Sequence, residues 1–230
     1  MTTLKLHMIP WFLFIVAGIA EVALLVIGET MLASYLKPAL IPLLLVTALI
    51  TMSETRTDFM TPIARLLTWA LIFHTIGDVL LIFPGDWFFL GGAAAFLIGH
   101  IFYLLLICRG LKGFTFVEGL TATIPVLVVY PIALLFRQDD LFITIGIAIY
   151  ALALLDYIAF GYVGLLQKNK LYRYFIWGGL IFIISDTIVA LDRFLGIGFP
   201  YQDAATMATY IIAEMVLCLG ACRVKVVSRR

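Results

Sequence analysis

The chain has 230 residues, 64% hydrophobic and 13% charged, with a formal net charge of +1. A soluble domain is nearer half apolar and a quarter charged, so composition excludes that class. The near-neutral balance gives no basis for binding nucleic acid.

Mean hydropathy is +1.14, and the apolar residues fall in runs of about 20, the length that crosses a bilayer core as a helix. Fold class is therefore all-α: a polytopic membrane protein of eight transmembrane helices. Runs and breakers place the spans at 9–28, 33–52, 63–83, 88–108, 116–136, 141–163, 174–194 and 204–224.

The first span carries Glu21 and is too long for the apolar region of a cleaved signal peptide. The second opens on Lys37 and Pro38. "ETRTD" leads to the third, where "FHTIGDVLLIF" holds His74 and Asp78. "PGDW" leads to the fourth, with His100 and Tyr103. "RGLKG" and "RQDD" bracket the fifth, and the sixth carries Asp156. "QKNKLYR" precedes the seventh, where "FIISDTIVAL" holds Ser185 and Asp186, and the eighth carries Tyr210 and Glu214. No linker is long enough to separate domains, so residues 1–230 read as a single membrane domain. Cys108, Cys218 and Cys222 form no CxxC pair, and the odd number reads as reduced thiols.

Charge tests the count. With eight spans, the N-terminus, the even-numbered loops and the C-terminus share one side. That side, from Lys5, Arg56 and Arg65 to Arg229 and Arg230, holds 12 of the 15 basic residues; only Lys37, Arg137 and Arg193 fall on the other. A missed span would scramble this split. The asymmetry predicts both termini in the cytoplasm, which in a bacterial cell means the inner membrane.

An ionisable group at bilayer depth is costly and marks a functional candidate. Asp78 lies roughly 7 Å and Asp186 roughly 12 Å from the outer ends of their helices. His100 and Glu214 lie roughly 15–18 Å in, near the midplane. With Lys37 entering from the outer side, five helices bring polar groups to a common layer, as one shared pocket would require. His74 and Asp78 are four apart and share a helix face; so do Tyr210 and Glu214, and His100 and Tyr103 are three apart. The plainer reading makes such groups interhelical hydrogen-bond ties. Glu21 and Asp156 have no polar neighbour at helical spacing and read as structurally paired. Trp87 and Tyr201 read as interfacial aromatics, Asp192 and Arg193 as an interfacial helix end, and His7 as solvent-exposed.

Absences constrain the chemistry. No lysine lies deep enough in a span for a retinal-type Schiff base. A three-histidine zinc site would need His7, on the wrong side of the membrane. A mixed site of His74, Asp78 and His100 has no tight metal motif behind it. No GxSxG elbow or Cys/His pair suggests a nucleophilic hydrolase. The third and seventh spans share a pattern of aromatic, apolar, small residue and Asp, and each is followed by a span with a paired Tyr. That pattern predicts two parallel four-helix halves.

These residues resemble the YhhN-like family of lysoplasmalogenases. The matching pieces are "KP" (Lys37, Pro38), "GDVLL" (Gly77, Asp78), "FLIGHIFY" (His100, Tyr103), "GGLIFIISDTIVALDRF" (Gly178, Ser185, Asp186, Ala190) and "MATYIIAEM" (Tyr210, Ala213, Glu214). They run through most of the chain in the family's order. Glu214 departs from the family, which usually has Gln there. The resemblance implies hydrolysis of the vinyl ether bond of lysoplasmalogens, releasing a fatty aldehyde and a glycerophospho-alcohol such as glycerophosphoethanolamine or glycerophosphocholine.

That chemistry needs a proton donor for the enol-ether carbon, a negative group beside the oxocarbenium ion, and a base for the attacking water. Burial favours the neutral form of a carboxyl group, and neighbouring carboxyls divide acid and base roles between them. Asp78 and Asp186 are thus the expected acid/base pair, with His100 as proton relay or water orienter. Lys37 is expected to reach a lipid phosphate, with His74, Tyr103, Ser185, Tyr210 and Glu214 lining the substrate site. Expected partners are the lysophospholipid substrate and membrane lipids; no cofactor or metal is called for. A proton-coupled transporter or lipid-binding membrane protein would use the same buried Asp/His network.

Overall fold

The computed structural model describes residues 8–54 and 61–226. Lys5, His7, Arg56, Arg229 and Arg230 lie outside the described residues. Eight helices appear: α1 (Met8–Val26), α2 (Thr30–Glu54), α3 (Pro62–Leu80), α4 (Asp86–Arg109), α5 (Phe116–Leu135), α6 (Leu141–Leu166), α7 (Arg173–Leu195) and α8 (Gln202–Ala221). A 3-10 turn at Lys170–Tyr172 precedes α7, and no strand occurs among the described residues. Each helix is long and apolar enough to cross a membrane. The eight predicted spans are all present, with ends displaced by no more than three residues. This is a multi-pass membrane protein.

Local chemistry sets the ends. Thr61 caps α3 by accepting from the Ala64 N–H, with Pro62 in the first turn where its missing N–H costs nothing. Thr115 and Glu118 form a reciprocal capping box at the start of α5. Asp140 caps α6. α7 ends on Gly196 at φ 64°, where the N–H groups of Gly196 and Ile197 return to Asp192 and Leu191. α2 stays helical through Pro38 and Pro42, although neither ring supplies the N–H that the carbonyls of Ser34 and Pro38 would receive.

Two compact units divide the chain: residues 1–106 with 221–223, and residues 107–220 with 224–230. In the first, α1 packs on α2 and α2 on α3. α3 and α4 close on each other through glycines. A Cβ on Gly77 would lie 2.6 Å from the Phe96 ring, and one on Gly99 would overlap the His74 ring. In the second unit α5 packs on α6 and α6 on α7. Glycines again set the approach: Gly179 of α7 admits Tyr157 of α6, and Gly178 admits Leu217 of α8. Such small-residue contacts replace the hydrophobic effect as the means of joining helices in lipid.

Outward positions are apolar. Phe12, Ile19, Leu127 and Phe142 are each at least 65% exposed, an arrangement suited to a lipid solvent and to no aqueous one. Trp87 and Tyr201 are exposed at helix starts. Cys108, Cys218 and Cys222 are all free thiols.

Candidate active site

The predicted site residues form two sets, one in each unit. In the first, His74 and Asp78 sit one turn apart on α3, and His100 and Tyr103 lie on α4; all four are fully buried. Gly99 creates the slot for the His74 ring. That ring packs edge-on to His100 with centroids 4.8 Å apart, against Tyr103 at 5.7 Å and against Phe96 at 5.2 Å. The imidazoles thus form a rigid pair walled by aromatic rings.

Lys37 completes this set in an unexpected way. Its Nζ lies 3.7 Å from Asp78 Oδ1, with the lysine side chain 21% exposed and the aspartate 2%. The ammonium expected to face a lipid phosphate has a carboxylate as its charged neighbour. An ion pair this buried repays its desolvation only when it is geometrically well held. Glu21 of α1 is also buried, within coulombic reach of both Lys37 and Asp78. Sequence reasoning left Glu21 out because no polar residue stands three or four positions from it. Its partners come from two other helices, a relationship that helical spacing cannot reveal.

In the second set, the Tyr150 hydroxyl donates to Asp186 Oδ2 at 2.7 Å, linking α6 to α7. Tyr157, two turns further along α6 and fully buried, lies within coulombic reach of Asp186 and Glu214. Glu214 is fully buried on α8. Tyr210, one turn before it, packs edge-on to Phe182 with centroids 5.7 Å apart. Ser185 donates to the Thr206 carbonyl at 3.1 Å, so its hydroxyl ties α7 to α8. Tyr150 and Tyr157 were missed in the sequence, although their seven-residue spacing marks one face of α6 and was the available signal.

Asp156, read as structurally paired, is half-buried and takes no ion pair or hydrogen bond from a described residue. Among the described residues no three His, Cys, Asp or Glu side chains are placed to hold a metal ion.

Buried carboxyls, a histidine pair, a lysine and tyrosines form a proton-handling inventory. The YhhN family matches residues 32–221, which include every one of these groups except Glu21. The chain belongs to the YhhN family. Among relatives, this YhhN protein is 31% identical to lysoplasmalogenase TMEM86B of Mus musculus over 167 residues, 69% of this chain and 64% of the mouse protein. It is 32% identical to lysoplasmalogenase TMEM86B of Rattus norvegicus, over 69% of this chain and 62% of that one. Lysoplasmalogenase TMEM86A of Homo sapiens is 29% identical over 70% of this chain and 66% of its own length. The match thus spans a little under two thirds of the two rodent proteins. No solved structure matches the chain.

Proposed function

We propose that this YhhN protein is a lysoplasmalogenase. Similarity to relatives that bear that name carries the reading, and the buried acid-base groups supply chemistry that fits it. Proton transfer to the outer vinyl carbon leaves an oxocarbenium ion. Water adds to that ion, surrendering a proton to a base, and the hemiacetal collapses to a fatty aldehyde and a glycerophospho-alcohol. One water is consumed and the acid is restored.

The roles of acid and base go to Asp78 and Asp186. Asp186 comes with a phenol already bonded to it, and Asp78 with an ammonium. His100, packed on His74, is the relay or water orienter. Tyr103, Tyr210, Ser185, Glu214 and His74 are assigned to substrate contact, and Lys37 to charge balance at Asp78 as well as to the phosphate. Both termini are placed in the cytoplasm, on the distribution of basic residues.

Purified protein in detergent, given a 1-alkenyl lysophospholipid, is expected to release aldehyde without any sealed compartment. Asp78→Asn and Asp186→Asn should each abolish release while the protein stays folded. Near-native turnover in both variants refutes the assignment. Absence of aldehyde together with pH-gradient-driven flux in vesicles replaces the enzyme with a carrier.

A further inference from the structure

α1 buries only Phe14, Gly18 and Glu21, an i, i+4, i+7 stripe along one face. An apolar residue at the third position would pack without electrostatic cost, yet the chain puts a carboxyl there. Glu21 is 1% exposed, and its Oε2 has no hydrogen-bond partner among the described residues. Lys37 of α2 and Asp78 of α3 are the charged groups within its reach, and Lys37 already faces Asp78 at 3.7 Å. His74 stands one turn from Asp78, with His100 against it.

The buried trio holds two carboxyls and one ammonium, with the imidazoles of His74 and His100 on the far side of Asp78. One ammonium balances one carboxylate; a second buried negative charge would be uncompensated, and such charges neutralise themselves by taking a proton. The ion pair occupies Asp78, which leaves the proton to Glu21.

We infer that Glu21 is a positioning residue of the site, holding a proton beside the Lys37–Asp78 ion pair and exchanging it with Asp78. In the exchange the Glu21 acid becomes a carboxylate and the Asp78 carboxylate becomes an acid. Net charge is unchanged and Lys37 balances whichever partner is ionised. The catalytic consequence rests on the lysoplasmalogenase reading; the proton on Glu21 does not. Glu21 lies on α1, before the residues matched by the family.

Dicyclohexylcarbodiimide tests the proton directly on the purified full chain in detergent. This apolar reagent adds to a carboxylic acid and not to a carboxylate. The acid's proton moves to a carbodiimide nitrogen, the carboxyl oxygen bonds to the central carbon, and rearrangement leaves an N-acylurea that peptide mass spectrometry locates. Label is expected on Glu21 at neutral pH and absent in Glu21→Gln. Lys37→Met is expected to add label at Asp78, whose carboxylate has then lost its ammonium. Wild-type protein in which Glu21 takes label only after unfolding overturns the proposal.

Exchange with Asp78 is tested by turnover. In Glu21→Gln the limb of the kcat/KM profile that Asp78 sets should move by about one pH unit toward acid, since Asp78 then has the ammonium to itself. Glu21→Asp should keep the wild-type profile. An unmoved profile in Glu21→Gln overturns the exchange. Label on Glu21 in protein that releases no aldehyde sustains the proton assignment and refutes the lysoplasmalogenase reading instead.

Discussion

Tyr150 donates its phenol hydrogen to Asp186 Oδ2 at 2.7 Å, one of the shortest side-chain hydrogen bonds in the second unit. A carboxyl in a membrane helix has few partners, so this bond fixes both its rotamer and its charge distribution. Tyr150→Phe removes one oxygen and keeps the ring. Hydrogen bonds to charged groups contribute about 1.5–3 kcal/mol, so kcat should fall roughly tenfold to a hundredfold if Asp186 works in the reaction. KM should change little. Steady-state aldehyde release checks it, and an unchanged kcat would make the bond a structural tie between α6 and α7.

How much of this was visible beforehand depends on the kind of relationship. Span positions were legible because apolar run length is a one-dimensional property: α6 was expected at 141–163 and runs Leu141–Leu166. The pair His74 and Asp78 was legible because one turn of helix brings them together. Tyr150 with Asp186 was not, since the partners are 36 positions apart on different helices. Lys37 was legible as a site residue, but its approach to Asp78 was not. Position near the outer helix end suggested a phosphate, whereas its reach into α3 depends on how α2 packs.

Gly99 makes the histidine pair possible. A Cβ there would overlap the His74 ring and lie 3.0 Å from the Ala70 carbonyl, and neither neighbour can retreat because both are buried. Gly99→Ala should therefore destabilise the protein by about 1–3 kcal/mol, the usual cost of overpacking a filled core. Activity should suffer beyond that loss, since the ring that shifts is the one packed on His100. Thermal unfolding in detergent beside turnover at low temperature separates the two effects. Wild-type melting in Gly99→Ala would show the helices free to part.

The 3.7 Å approach of Lys37 to Asp78 changes what removing the lysine should do. A phosphate anchor lost from the rim would raise KM and spare kcat, because headgroup binding is remote from the reacting bond. Loss of the cation beside Asp78 acts on the reacting groups instead, and breaking a buried pair from one side is strongly unfavourable. Lys37→Met should thus lower kcat by more than it raises KM. Kinetics on substrates with phosphoethanolamine and phosphocholine headgroups decide the matter. An effect confined to KM would return Lys37 to the phosphate.

Glu214 presents the opposite problem, a carboxyl where relatives in the resemblance usually carry an amide. It is fully buried on α8, with Tyr150 and Tyr157 within coulombic reach. Glutamine has nearly the same volume and can both donate and accept hydrogen bonds, so it leaves no cavity and keeps a polar group among the neighbours. Glu214→Gln should fold as the wild type and keep turnover within about threefold, an effect below 1 kcal/mol. Glu214→Leu, which fills space but offers no hydrogen bond, should lose more, because it strands buried polar neighbours. Both variants are read by aldehyde release and by melting in detergent. If Glu214→Gln is folded yet inactive, Glu214 is itself a catalytic acid, and Asp78 or Asp186 must yield that role.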